Sequence, residues 1–157
     1  ASVPVAMYAE ALGSTEEELF KAVAVSDLVT VHQKTGIGRL SAYCGAISAG
    51  CGAGAGIAYL HGGRYEAVAH TVVNAIAILS GTICDGAKPS CAAKIAAAVD
   101  AGILGYNMYL ENQQFFGGDG IVTKGADKTV SNVGRLAREG MRETDRAILR
   151  IMLDDGC

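Results

Sequence analysis

The chain has 157 residues, half of them apolar, with 13 basic and 16 acidic side chains interspersed for a net charge of −3. That is enough for one domain with a real core, and it excludes a disordered chain, a nucleic-acid surface and a polybasic membrane patch. Five cysteines and no secretion signal in the opening ASVPVAMYAE point to a reducing, cytoplasmic setting rather than a disulfide framework. The same opening reads as a piece of a longer protein, so residues 1–157 are expected to form a single domain from its C-terminal part.

Helix signals dominate. Ser14 and Glu17 form a capping box, S-T-E-E, ahead of Leu19, Ala22 and Val23, and predict a helix that stops near Thr35-Gly36. A second apolar stretch runs from about Leu40 to His61, a third from Tyr65 to Cys84, and a fourth from Pro89 to Asn112. The last predicted helix runs from about Thr129 to Leu153, with Val133, Leu136, Ala137, Met141, Ile148 and Ile151 as one apolar stripe. No segment alternates with period two between turn signals, so the fold reads as all-α, about five main helices around a central Gly/Ala-rich one.

That central stretch, residues 40–60, carries no charge and is long enough to span a bilayer. It is mostly Ala, Gly and Ser, with glycine at 50, 52, 54 and 56. Such residues gain little from lipid but let helices approach closely, which predicts a buried, tightly packed helix and no membrane span. GCGAGAG follows no strand and precedes no Lys-Ser or Lys-Thr, so it is not a phosphate loop. QQFFGGDGIVTKGAD (113–127) reads as a long loop in which Phe115, Phe116 and Asp119 form part of a lid, or as a plain helix connection.

The cysteines divide by position. Cys44 and Cys51 are seven apart within one predicted helix, which puts them roughly 10 Å apart along its axis at about 1.5 Å per residue. Cys51 is therefore read as a small core residue. Cys84 and Cys91 flank CDGAKPSC, where Gly86 and Pro89 break the helix and let the loop fold back. Pro89 places Cys91 in the opening turn of the next helix, where the helix dipole favours a thiolate, and Lys88 adds positive charge. The other reading is two buried cysteines on either side of an ordinary turn.

GRLSAYCGAISAGCGAG (38–54), CDGAKPSCAAKIAAAVDAG (84–102), GGDGIV (117–122) and NVGRLAREGMRETDRAIL (132–149) together resemble the iron–sulfur L-cysteine desulfidase and L-serine dehydratase alpha-chain family. The resemblance covers nearly the whole chain and only the C-terminal part of the full-length family protein. Its cysteine spacing is closer to the desulfidase branch. It implies a 4Fe–4S cluster held by Cys44, Cys84 and Cys91, with one iron open to act as a Lewis acid. The implied reaction is an iron–sulfur lyase step, α,β-elimination on L-cysteine to pyruvate, ammonia and sulfide. The alternatives are deamination of L-serine, a cluster-sensing module without chemistry, and a helical assembly module. The family's catalytic base lies in an N-terminal part, here either on the same polypeptide or on a partner chain, so this portion alone is expected to be inactive. Some relatives end in a cysteine that reaches the open iron, and Cys157 stands in that place; a frayed terminal thiol is the other reading.

Among the remaining polar residues, His70 and Asn74 share a helix face that continues through Gly81 towards Asp85. They are candidates for substrate positioning or proton transfer, or a satisfied buried pair. Lys88 is the first candidate for the substrate carboxylate or the cluster, and Arg39 the second. Ser41 and Tyr43 flank Cys44 as possible donors. His32 and His61 read as structural. A homo-oligomer is compatible with the Gly/Ala-rich surface.

Overall fold

Thr15, rather than Ser14, opens the first long helix in the computed structural model, which describes residues 1–154. The shift has a local cause. A helix not expected from the sequence, α1 (Ser2–Leu12), ends at Gly13 in the left-handed conformation (φ 65°). The Ser14 N–H is then bound to Ala9 O at 2.9 Å and belongs to the exit of α1. The capping box moves one residue on. Thr15 Oγ1 accepts from Glu18 N, and the Glu18 carboxylate accepts from Thr15 N at 2.8 Å. Helix α2 (Glu16–Ile37) follows.

Helix α3 (Gly45–Leu60) is the centre of the molecule and is buried from Gly50 to Ala58. Residues two apart on a helix point about 200° apart, so its alternating glycines serve opposite neighbours. Gly52 and Gly56 meet α2, and Gly50 and Gly54 meet α5 (Cys91–Leu110). A Cβ on Gly56 would lie 2.8 Å from Ala22 O, and one on Gly54 2.6 Å from Gly102 Cα. Helix α4 (Tyr65–Leu79) packs against both α3 and α5. The main core gathers Ile37, Tyr43, Ile47, Cys51, Val72, Ile76 and Val133. The architecture is all-α. Among the described residues the only β-pairing is one antiparallel bridge, Tyr43 with Ile83. None of their helices is long and apolar enough to cross a membrane.

That bridge shortens two predicted helices. Residues 42–44 and 82–84 are extended and exchange backbone bonds, Cys84 N to Ala42 O at 2.6 Å and Cys44 N to Thr82 O at 3.2 Å. Helix α3 therefore starts after Cys44, and α4 stops at Leu79.

The single predicted C-terminal helix is also interrupted. It is α6 (Ala126–Arg135), a π-turn (Leu136–Gly140) and α7 (Arg142–Asp154). Ser41 Oγ donates to Ala137 O at 3.1 Å, and the Met141 N–H bonds one residue further back, to Leu136 O at 3.0 Å. A side chain that captures a helix carbonyl in this way opens a π-turn. The predicted apolar stripe is split as a result. Val133 and Ala137 are buried, Met141 and Ile148 half-buried, and Leu136 and Ile151 exposed. Cys157 lies outside the described residues.

Candidate functional site

The bridge joins the two segments that carry Cys44 and Cys84, with Cys44 opposite Thr82 and Cys84 opposite Ala42. Cys44 is the N-cap of α3 and buried, while Cys84 is half-buried on the paired segment. Cys91 is the first residue of α5, half-buried, and its thiol donates to Gly86 O at 3.6 Å. Two of the three thiols thus stand at helix N-termini, beside backbone N–H groups that have no partner within the helix. Gly86 has φ 93°, a backbone state open to glycine, and it turns the loop back from Cys84 towards Cys91.

An ion network ties these segments together. Asp85 accepts from Lys88 Nζ with one oxygen and from Lys94 Nζ at 2.7 Å with the other. Hydrogen bonds from Lys88 and then Lys94 hold the Asp85 carboxyl down to about 2. Lys94 also donates to Ile83 O at 3.0 Å. Its ammonium is made more basic by the bond to Asp85 first, and further by the charges of Asp85, Cys44 and Cys91.

Cys51 differs in kind. It is 1% exposed in the main core, and burial pushes its thiol up to about 12, with only partial relief from Gln33. A neutral core thiol is what this position holds. Cys44, Cys51, Cys84 and Cys91 are all unpaired thiols. Among the described residues no three His, Cys, Asp or Glu side chains close into a single metal-ion site. A cluster spaces its thiolates more widely, because each binds a different iron. Thiols are the donors such a group takes, and Cys44, Cys84 and Cys91 lie on one paired ribbon and the loop that follows it, two of them at helix N-termini.

The other candidates lie apart from the cysteines. His70 stacks on Tyr109 at 5.5 Å and lines a cleft of about 790 Å³ with Tyr65, Phe115, Phe116 and Lys124. It sits near the start of α4, whereas the bridge follows that helix's end. Asn74 is fully buried, and both ends of its amide are engaged. Nδ2 donates to Gly105 O at 3.0 Å, and Oδ1 accepts from Phe115 N at 3.1 Å. Asn74→Ala should lower stability by about 2 kcal/mol through the orphaned backbone groups, as a fall in the urea midpoint. Arg39 is exposed in the segment after α2. Ser41 is engaged with Ala137 and with Tyr43 N, while the Tyr43 hydroxyl is buried without a partner. His61 stacks on Tyr106, and His32 lies 3.3 Å from Asp127.

Residues 1–150 match the family described as serine dehydratase alpha chain. The chain belongs to the serine dehydratase alpha-chain family. A UPF0597 protein of Desulfitobacterium hafniense is 67% identical over 98% of this chain and 36% of its own length. UPF0597 proteins of Treponema denticola and Lachnoclostridium phytofermentans are 49% and 50% identical over 98% of the chain, and 36% and 37% of their own lengths. The chain thus spans little more than a third of these curated relatives. No solved structure matches it.

The sequence did not single out Asp85 and Lys94, which join the segment of Cys84 to the helix of Cys91. The available signal was C-A-A-K, a lysine one turn after Cys91 at the start of a helix. A cation there opposes the helix dipole and calls for a local anion.

Proposed function

We propose that this chain carries the 4Fe–4S site of a lyase that removes the β substituent of L-cysteine, with Cys44, Cys84 and Cys91 as ligands. The observation that carries the reading is the pairing of residues 42–44 with 82–84, which joins the segments that carry Cys44 and Cys84 while the Gly86 turn returns the chain to Cys91. Family membership supports it. When bound, such a cluster leaves one iron without a protein ligand and supplies Lewis acidity. The chain's own residues hold and shield it. Cys44 is buried, Cys44 and Cys91 stand at helix N-termini, and Asp85 is kept ionised between two lysines.

Lys88 is assigned to the substrate carboxylate, because it sits half-exposed on the loop between two ligands and pairs only with Asp85 among the described residues. His70 and Asn74 keep a supporting place on α4, through the cleft wall and the buried amide bonds. The base that takes the α proton is assigned to the N-terminal part of the whole protein, on the same polypeptide or on a partner chain. Exposed Phe20, Leu28 and Val31 on α2, with Val3 and Met7 on α1, support a face covered by that part. L-Serine, losing water, is the second reading, favoured by membership of the serine dehydratase alpha-chain family.

The test is pyruvate formation by the full-length, anaerobically iron-loaded protein. A higher kcat/KM for L-cysteine than for L-serine supports the desulfidase reading, and the reverse order supports the dehydratase. Loaded protein inert towards both contradicts a lyase.

A further inference from the structure

We propose that Lys94 is the positioning residue of the cysteine frame. It locks the Cys84 segment onto the helix that carries Cys91 and sets a fixed positive charge beside the thiolates. This inference rests on the cluster reading above and deepens it.

The placement of Lys94 is costly without such a role. It lies one turn into α5, where the helix dipole disfavours a cation, and the first turn of α5 has no acidic residue to offset it. Its side chain is only 24% exposed, and burial of an ammonium requires partners. Two of its three N–H donors meet the residues on either side of Cys84, namely Ile83 O at 3.0 Å and Asp85 Oδ1 at 2.7 Å. One turn back on the same helix face stands Cys91. The backbone bridge joins the Cys44 and Cys84 segments, and no comparable backbone ladder joins Cys84 to α5 among the described residues. Lys94 makes that connection with its side chain.

The two lysines, Lys88 on the loop and Lys94 on α5, then divide the work. Lys88 is 42% exposed and free to leave Asp85 for a substrate carboxylate, whereas Lys94 is enclosed and held twice. Asp85 orients Lys94 and keeps its charge compensated in either state.

The experiment uses the full-length protein, reconstituted with iron and sulfide without oxygen. It compares wild type, Lys94→Met, Lys94→Arg and Lys128→Met, the last an equal charge loss on exposed α6. The readouts are the rate of iron loss to a chelator and the midpoint potential of the cluster. Lys94→Met should lose iron about tenfold faster, the size of effect expected of a residue that orients metal ligands. It should also shift the potential to a more negative value. Lys94→Arg should restore both, and Lys128→Met should change neither.

Asp85→Asn gives a second handle where Lys94→Met does not fold. It should also lose iron faster, but with a shift of opposite sign, because a negative charge is removed. Wild-type behaviour in Lys94→Met, or in Asp85→Asn where that variant decides, overturns the inference and leaves the cluster reading standing. A wild-type protein that takes up no iron overturns the cluster reading, and Lys94's role falls with it.

Discussion

Cys44→Ser, Cys84→Ser and Cys91→Ser should each lower pyruvate formation by the full-length protein about a thousandfold or more, while Cys51→Ser keeps it within a few-fold of wild type. The magnitude follows from the several kcal/mol that Lewis-acid stabilisation contributes, at tenfold in rate for roughly 1.4 kcal/mol. A serine hydroxyl is a far weaker anion than a thiol at neutral pH, so each change removes a ligand while nearly preserving shape. The contrast with Cys51 is the informative part. Cys44, Cys51 and Cys84 lie within or against the same core cluster, so a general packing defect would appear in all three of those variants. Cys51 differs in having no helix N-terminus, no lysine and no exposure. Its serine variant should lose about 1–3 kcal/mol of stability instead, from a buried hydroxyl. Pyruvate assays beside urea denaturation of the same preparations separate the two effects. Wild-type rates in Cys91→Ser would contradict the assignment.

Gly54→Val should be severely damaging to the helical frame, with a loss of about 3 kcal/mol or more. Its first side-chain atom would sit 2.6 Å from both Cα and O of Gly102, which are backbone atoms of α5 that cannot swing aside. Ordinary overpacking costs about 1–3 kcal/mol when side chains can adjust, and here two helix backbones must separate. Replacing glycine recovers at most about 1 kcal/mol of helix propensity, so the clash decides the sign. Gly81→Ala is the matched control, since a Cβ there meets nothing within 4 Å. Thermal denaturation should show Gly81→Ala near wild type and Gly54→Val unfolded or strongly destabilised. Equal melting temperatures would mean that α3 and α5 are not in close backbone contact. Separation of these helices would also displace Cys44 and Cys91, which begin them.

The all-α class and the buried Gly/Ala-rich helix were legible because apolar periodicity and small-residue spacing are local properties. The break at CDGAKPSC was legible for the same reason, and Cys91 falls in the opening turn of α5 where Pro89 places it. What escaped depends on distant partners. Nothing near Cys44 announces that residues 42–44 pair with 82–84, so the start of α3 was set too early. The π-turn at Leu136–Gly140 comes from Ser41, 96 positions away. Helix α1 was missed because its N-cap, Ala1, makes no side-chain capping bond, and that omission shifted the next capping box by one residue. His70 and Asn74 share a helix face with the line towards Asp85, but fifteen residues of α4 separate its two ends and put His70 at a different cleft. Lys94 carried a local sign, a cation at a helix start, whose meaning needed the folded-back Asp85 to become visible.

The most direct measurement is iron and acid-labile sulfide per chain after anaerobic reconstitution of the full-length protein, read with EPR of the reduced sample. The account predicts about four of each per chain in wild type and Cys51→Ser, and loss of the cluster signal in Cys44→Ser, Cys84→Ser and Cys91→Ser. Wild-type protein without iron, or a full cluster in Cys84→Ser, would contradict it.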